Sequence, residues 1–188
     1  MKKKITLPVF FIVILILFGC TANENETIIE NGSNYRIIET DEYSVLRYEI
    51  FNNNGEIIRS GTGQRIPSFR SISEDVLEVS VGAGTGTQTV QFYSAKNDIF
   101  SEVFDTPIVI TNELIGLVRW SDDGVLNLVV RDIFDTENYY SEFWLKDFSS
   151  VANPINALIQ VEYLGMGRVE ITYLSGKNFV ETTTILTL

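Results

Sequence analysis

The chain of 188 residues contains no histidine and a single cysteine. Without histidine it cannot form a Ser-His-Asp triad, supply a histidine general base or offer the commonest protein ligand of zinc. These absences disfavour an enzyme without excluding one, because paired carboxylates or lysine also support catalysis. A single cysteine excludes an internal disulfide, so we expect packing alone to stabilise the fold.

Basic residues are scarce as well, with 14 lysines and arginines against 25 acidic residues and a net charge of −11. A nucleic-acid-binding protein needs a basic surface that neutralises phosphates. We therefore exclude nucleic acid as the partner. An excess of negative charge favours solubility and attracts cationic partners.

No apolar run is long enough for a membrane-spanning helix, which takes about 20 residues. The longest run covers only Ile5–Phe18, and the three lysines Lys2–Lys4 precede it. A short apolar run behind a basic segment is typical of a secretory signal. The run ends in Leu-Phe-Gly-Cys, which resembles the bacterial lipobox, whose cysteine receives a diacylglyceryl group just after the cleaved signal.

This resemblance implies that residues 1–19 are a lipoprotein signal peptide and that Cys20 is the lipidated first residue of the mature chain. Two acyl chains give a stable anchor, so we expect attachment to the extracytoplasmic face of the cell membrane. The alternatives are a plain secretory signal and an uncleaved anchor. Residues 1–19 hold three of the 14 basic residues and no acidic one, which leaves 11 against 25 and a net charge of −14.

The remaining chain divides into a polar tether at 20–34 and a single all-β domain at 35–188. In the domain, short runs of Val, Ile, Tyr, Phe and Thr alternate with Gly, Asn and Asp clusters, and no stretch keeps a helical period. The predicted strands group into four units of three, which recur at about 40 residues. We predict an antiparallel meander folded into a sandwich or barrel; the alternative is a small four-bladed propeller-like repeat.

Two glycine-rich or acidic segments resemble ligand-binding motifs only superficially. The segment GAGTGTQ, at 82–88, precedes a predicted strand instead of a helix and lacks the Gly-Lys-Ser/Thr of a phosphate loop, so we predict a hairpin connection. The acidic turns at 122–137 lack the EF-hand spacing. We predict no metal site and no cofactor.

Aromatic residues concentrate at Tyr139–Phe148. Because successive side chains of a strand face opposite ways, the pairs Tyr139-Tyr140 and Phe143-Trp144 cannot all enter one core unless a second sheet covers both faces. Some of these rings should be exposed or line a groove, where aromatic residues mark contacts with sugars or proteins. We select Tyr140 and Trp144 as candidate ligand-binding residues, and no residue as catalytic.

The segment DIFDTENYYSEFWLKDFS, at 132–149, is similar to segments of uncharacterised Gram-positive lipoproteins, and this resemblance implies no activity. The favoured hypothesis is a non-enzymatic binding module for a cationic envelope or defence protein, with a glycan as the other ligand considered. One alternative is a carboxylate-type enzyme acting on cell-wall glycans through Glu142 and Asp132. The other is an accessory subunit of an envelope complex.

Overall fold

A computed structural model describes residues 26–40, 45–84, 87–120, 126–145, 147–148 and 154–188, with the main chain alone at 83, 84 and 154. The signal segment, Cys20 and the acidic turn at 121–125 lie outside these residues. The described chain forms strands grouped into four antiparallel sheets, and no sheet closes into a barrel. The all-β class and the antiparallel meander are thus confirmed, whereas the barrel form is not found.

Sheet 1 consists of four strands in chain order, β1 (Glu26–Asn31), β2 (Tyr35–Thr40), β3 (Val45–Phe51) and β4 (Ile57–Gly63). The predicted Asn-Gly turn joins β3 to β4. Its Asn52 Oδ1 accepts hydrogen bonds from the backbone N–H groups of Asn54 and Glu56, both at 3.0 Å. Gly55 has a φ of 78°, which favours glycine at this position.

Sheet 2 consists of β5 (Ser68–Ser71), β6 (Val76–Gly84), β7 (Thr87–Ser94) and β8 (Ile99–Asp105). The register pairs Gly82 with Gln88 across β6 and β7. The glycine-rich segment therefore belongs to a hairpin, as predicted, and residues 85 and 86 at its tip lie outside the described chain.

Sheets 3 and 4 complete the chain. Sheet 3 consists of β9 (Ile108–Val109), β10 (Leu114–Trp120), β11 (Leu126–Asp132) and β12 (Tyr140–Trp144). Sheet 4 consists of β13 (Leu158–Gly165), β14 (Arg168–Ser175) and β15 (Val180–Thr187), and a 3-10 turn at Pro154–Ala157 precedes it.

Each predicted three-stranded unit corresponds to one sheet, and sheets 1, 2 and 3 have one more strand at their start. These additional strands are β1, β5 and β9. β1 lies in the segment predicted as a tether and pairs with β2, so the ordered domain includes Glu26 and does not start at Tyr35. All six residues of β1 are exposed, which explains why its sequence carries no period of burial.

The sheets pack face to face in chain order. Three clusters of buried side chains lie between sheets 1 and 2, between sheets 2 and 3, and between sheets 3 and 4. Among the described residues, no such cluster joins sheet 1 to sheet 4. Sheets 2 and 3 therefore have a cluster of buried side chains on both faces, while sheets 1 and 4 each have such a cluster on one face.

The described residues include no helix that is long and apolar enough to cross a membrane.

Candidate functional site

Strand β12 lies at one edge of sheet 3, where β11 is its only described partner. Its side chains alternate between the two faces of the sheet. Phe143, together with Tyr139 just before the strand, packs into the cluster between sheets 3 and 4. Tyr140 and Trp144 lie on the opposite face and are 50% and 53% exposed. The structure thus places both candidate binding residues on one accessible face.

The strand register extends this face across the sheet. The cross-strand rows, read from β12 to β10, are Trp144-Asn127-Arg119, Glu142-Val129-Leu117 and Tyr140-Arg131-Ile115. The members of these rows on β10 and β11 that are apolar pack against sheet 2. The aromatic and polar residues of the same rows lie around the exposed edge of this packed cluster. We define the β12 edge site as Arg119, Asn127, Arg131, Tyr140, Glu142 and Trp144.

The Glu142 carboxylate orients two neighbours in this site. The Tyr140 hydroxyl donates a hydrogen bond to Glu142 Oε1 at 2.6 Å, and Asn127 Nδ2 donates one to Glu142 Oε2 at 3.3 Å. The bond to Glu142 raises the pKa of Tyr140 above its ordinary value, with partial burial and the negative charge of Glu142 acting in the same direction. Tyr140 therefore remains a neutral donor at physiological pH.

The amide of Asn127 is the unusual group of the site, because only 6% of this residue is exposed and its Oδ1 accepts no hydrogen bond within the described chain. Two buried side-chain atoms of the described residues have no hydrogen-bond partner, namely Asn127 Oδ1 and Arg47 Nε. Arg47 Nε still lies 3.3 Å from Glu49 Oε1. A buried acceptor without a donor costs about 1–3 kcal/mol, so Asn127 needs an explanation beyond folding.

A cleft of about 360 Å³ lies beside these residues, between β8 and β10. Its lining comes from Glu102–Asp105 on one side and Leu117–Arg119 on the other. Arg131 forms an ion pair with Glu102 across the two sheets, and its guanidinium lies 5.3 Å from the centroid of the Phe104 ring. Since Arg119 belongs to both, the cleft and the β12 edge site form one continuous surface.

The two carboxylates considered for the alternative enzyme hypothesis, Glu142 and Asp132, are not brought together. Asp132 Oδ1 accepts hydrogen bonds from the backbone N–H groups of Phe134 and Asp135, both at 2.8 Å, and so stabilises the turn after β11. Glu142 pairs in register with Val129, three positions from Asp132, so the two side chains leave opposite faces of the sheet. No cluster of potential metal ligands occurs among the described residues, and Asp122 and Asp123 lie outside them.

Comparison with protein families finds no match, and no solved structure matches the chain. The phosphate-binding protein PstS of Borreliella burgdorferi is 20% identical over 131 residues, which cover 70% of this chain and 46% of that protein. The chain thus spans less than half the length of that curated relative. A similarity at this level does not assign the chain to a family.

Alternation along the aromatic segment indicated Tyr140 and Trp144, whereas Asn127 and Arg119 were not expected from the sequence. The available signal for Asn127 was its position within VLNLVV, where one polar residue interrupts a strand of apolar residues. The sequence carries no comparable signal for Arg119, because an arginine near a strand end is ordinary on a protein surface.

Proposed function

We propose that this protein is a non-enzymatic binding module, held at the extracytoplasmic face of the cell membrane by a lipid on Cys20, and that it binds its ligand at the β12 edge site. One observation carries the binding role. Tyr140 and Trp144 lie exposed on the same face of an edge strand. Beside them, the buried Asn127 amide donates a hydrogen bond to Glu142. Tyrosine and tryptophan are enriched where proteins bind partners.

Two ligand classes fit this role. The net charge of −14 for residues 20–188 favours a cationic envelope or defence protein, because complementary charge accelerates association. The neutral mixture of aromatic, amide and paired charged groups in the site favours a glycan. The name of PstS says that it binds phosphate, but Arg131 is already paired with Glu102 and Glu142 adds negative charge to the site. We therefore do not extend phosphate binding to this chain.

Binding is tested with the full-length protein in detergent micelles, using lysozyme as a basic protein probe and purified cell-wall glycan as the other. We expect saturable binding of at least one probe, and its loss when Tyr140 and Trp144 are both changed to alanine. Tyr163→Ala is the matched control, since this tyrosine is exposed on sheet 4, away from the site. Unchanged binding by the double variant, or no binding to either probe, contradicts the proposal.

Anchoring is tested separately by labelling cells with a radioactive fatty acid. The wild-type protein should carry the label and partition into detergent, and Cys20→Ser should lose both properties. Label on the variant would refute the anchor without affecting the binding site.

The two other hypotheses make different predictions. An enzyme acting on wall glycans through Glu142 and Asp132 requires a pair that the structure places on opposite faces of sheet 3. An accessory subunit should co-purify with its complex at fixed stoichiometry and leave no free pool, whereas a binding module should saturate with added ligand.

A further inference from the structure

The orientation of the Asn127 amide is fixed by its neighbour. Nδ2 donates to Glu142 Oε2, and a flipped amide would place Oδ1 against that carboxylate, where two acceptors repel each other. Oδ1 therefore points away from Glu142 and remains a buried acceptor without a donor. Whatever completes this hydrogen bond must come from outside the described chain and must offer an N–H or O–H group.

The neighbours of Asn127 restrict that donor. Its cross-strand neighbours on this face are Trp144 and Arg119. A ligand that reaches Oδ1 therefore passes along the exposed indole of Trp144, whose ring favours contact with an apolar surface. The same ligand also meets the Glu142 carboxylate, which is an acceptor only. These contacts suit a molecule with an apolar face and several hydroxyl groups.

The local charge favours an uncharged ligand, although the whole chain is acidic. Arg131 is paired with Glu102, Tyr140 is a neutral donor, and Arg119 faces the same surface as Glu142. Positive and negative groups are thus nearly balanced at the site. A cationic protein would gain little here from the net charge of the chain, because that charge lies elsewhere.

The spacing of the two aromatic residues sets the size of the ligand. Tyr140 and Trp144 are four positions apart on β12, which corresponds to about 13 Å at about 3.3 Å per residue. A single sugar ring cannot cover both side chains, whereas a short chain of sugars can.

We propose that the ligand of the β12 edge site is a glycan, and that one of its hydroxyl groups donates a hydrogen bond to Asn127 Oδ1 while a sugar ring packs against Trp144. This inference depends on the binding role proposed above and names its ligand class. A site with a buried acceptor for a hydroxyl discriminates strongly against ligands that lack the hydroxyl, because the acceptor then stays unpaired. Asn127 would then determine specificity, at a cost in folding stability.

The test uses the full-length protein in detergent with Trp120→Phe, so that Trp144 is the sole tryptophan of the two in the chain. Chitotetraose, cellotetraose and maltotetraose are titrated while the fluorescence of Trp144 is followed, and calorimetry checks the affinities in the wild-type protein. Lysozyme serves as the basic protein probe. We expect at least one oligosaccharide to bind and to change the indole fluorescence.

Asn127→Leu is the decisive variant, since leucine has a similar volume and no hydrogen-bonding group. We expect its affinity for the oligosaccharide to fall at least about tenfold, which corresponds to about 1.4 kcal/mol. Its melting temperature should stay equal or rise, because an unpaired buried acceptor has been removed. A purely structural role for Asn127 predicts the opposite, a lower melting temperature. Tyr163→Ala is again the control and should bind as the wild type does.

Deoxy analogues of the oligosaccharide keep the test valid if Asn127→Leu folds poorly. An analogue without the bonded hydroxyl should lose about as much affinity for the wild-type site as the variant loses for the intact sugar, and the two losses should not add. Equal affinity of every deoxy analogue for the wild-type protein overturns the role of Asn127.

The outcomes separate this inference from the binding role. Oligosaccharide binding that is lost in Trp144→Ala but unchanged in Asn127→Leu overturns the hydrogen bond and leaves the binding module intact. Binding of lysozyme alone, lost in Trp144→Ala, overturns the glycan as ligand while the binding module again stands. No binding of any probe, wall glycan included, overturns both.

Discussion

Strands β11 and β13 show how the position of a sheet in the stack determines its sequence. The first five residues of β11 are all buried, because sheet 3 is covered by sheet 2 on one face and by sheet 4 on the other. β13 belongs to the terminal sheet, and all of its residues are exposed or only partly buried. A strand buried on both faces needs a continuous apolar run, whereas a strand of a terminal sheet needs only one apolar face.

Asn127 is the exception that this comparison reveals. It is the single polar residue within the buried part of β11, and its amide oxygen has no donor in the described chain. Departures from local consistency in natural proteins concentrate at functional sites. The strand most constrained by packing thus carries the clearest sign of binding.

The largest expected effect is a difference in unfolding free energy between substitutions on β11 and on β13. Leu128 on β11 is fully buried, and Leu128→Ala should lower the free energy of unfolding by about 2–5 kcal/mol, because it leaves a cavity between sheets 3 and 4. Ile159 on β13 is 47% exposed, so Ile159→Ala should change the free energy of unfolding by at most about 0.5 kcal/mol. Urea denaturation measures both, and similar losses would show that sheet 4 is as deeply packed as sheet 3.

A smaller effect on stability is expected from adding a methyl group at a glycine of sheet 3. A Cβ at Gly116 would lie 2.9 Å from Leu128 Cδ1 and 3.4 Å from Ile110 Cδ1. Gly116→Ala should therefore destabilise the protein by about 1–3 kcal/mol through overpacking. Gly82 has no atom within 4 Å of such a Cβ, and Gly82→Ala should be neutral or stabilising by up to about 1 kcal/mol. Denaturation midpoints that shift equally would contradict tight packing around Gly116.

The pH dependence of stability reports on sheet 1, the other terminal sheet of the stack. The Tyr35 hydroxyl donates to Glu30 Oε1 at 2.5 Å, and this bond, followed by burial and by the charge of Glu30, raises the pKa of Tyr35 to about 12. A raised pKa in the folded state gives stability that is complete below the unfolded value of about 10 and is lost as the pH rises through about 12. The free energy of unfolding should therefore fall over this range.

Tyr35→Phe is the matched variant for this prediction. It should lose about 1 kcal/mol near neutral pH with the hydrogen bond, and its stability should fall less steeply above pH ~10. Some dependence should persist, because burial and a hydrogen bond to Asp98 also raise the pKa of Tyr93 in sheet 2. An unchanged alkaline profile in Tyr35→Phe would contradict this role and assign the effect to the other tyrosines with a raised pKa, which are Tyr93, Tyr140 and Tyr173.

The smallest expected effect on stability belongs to the proposed binding face. Trp144 is half exposed on an edge strand, so Trp144→Ala should change the free energy of unfolding by no more than about 0.5 kcal/mol. A loss comparable to that of Leu128→Ala would mean that the indole stabilises the fold, and the binding role would lose its support.

The sequence predicted much of the fold, because hairpin turns and alternating strands are local signals. The turn at Asn52–Glu56 and the alternation of Tyr139, Tyr140, Phe143 and Trp144 were readable for this reason. β5 and β9 were missed because four and two residues are too short to show a period.

The site was predictable only in part. Exposure of Tyr140 and Trp144 follows from alternation along one strand. The contact of Asn127 with Glu142 joins residues 15 positions apart and depends on the register between β11 and β12, which no short stretch of sequence specifies. The face-to-face order of the sheets depends likewise on packing between distant segments.

Because the four sheets pack one after another, the protein is a linear array of similar units. Each sheet is built from consecutive strands and contacts the sheets before and after it, as repeats do in a solenoid. A ring of blades cannot gain or lose a member without a change in its curvature, but an open stack can. Duplication or deletion of a unit at either end would therefore yield related proteins of different length that keep the central pair of sheets and the proposed binding face between them.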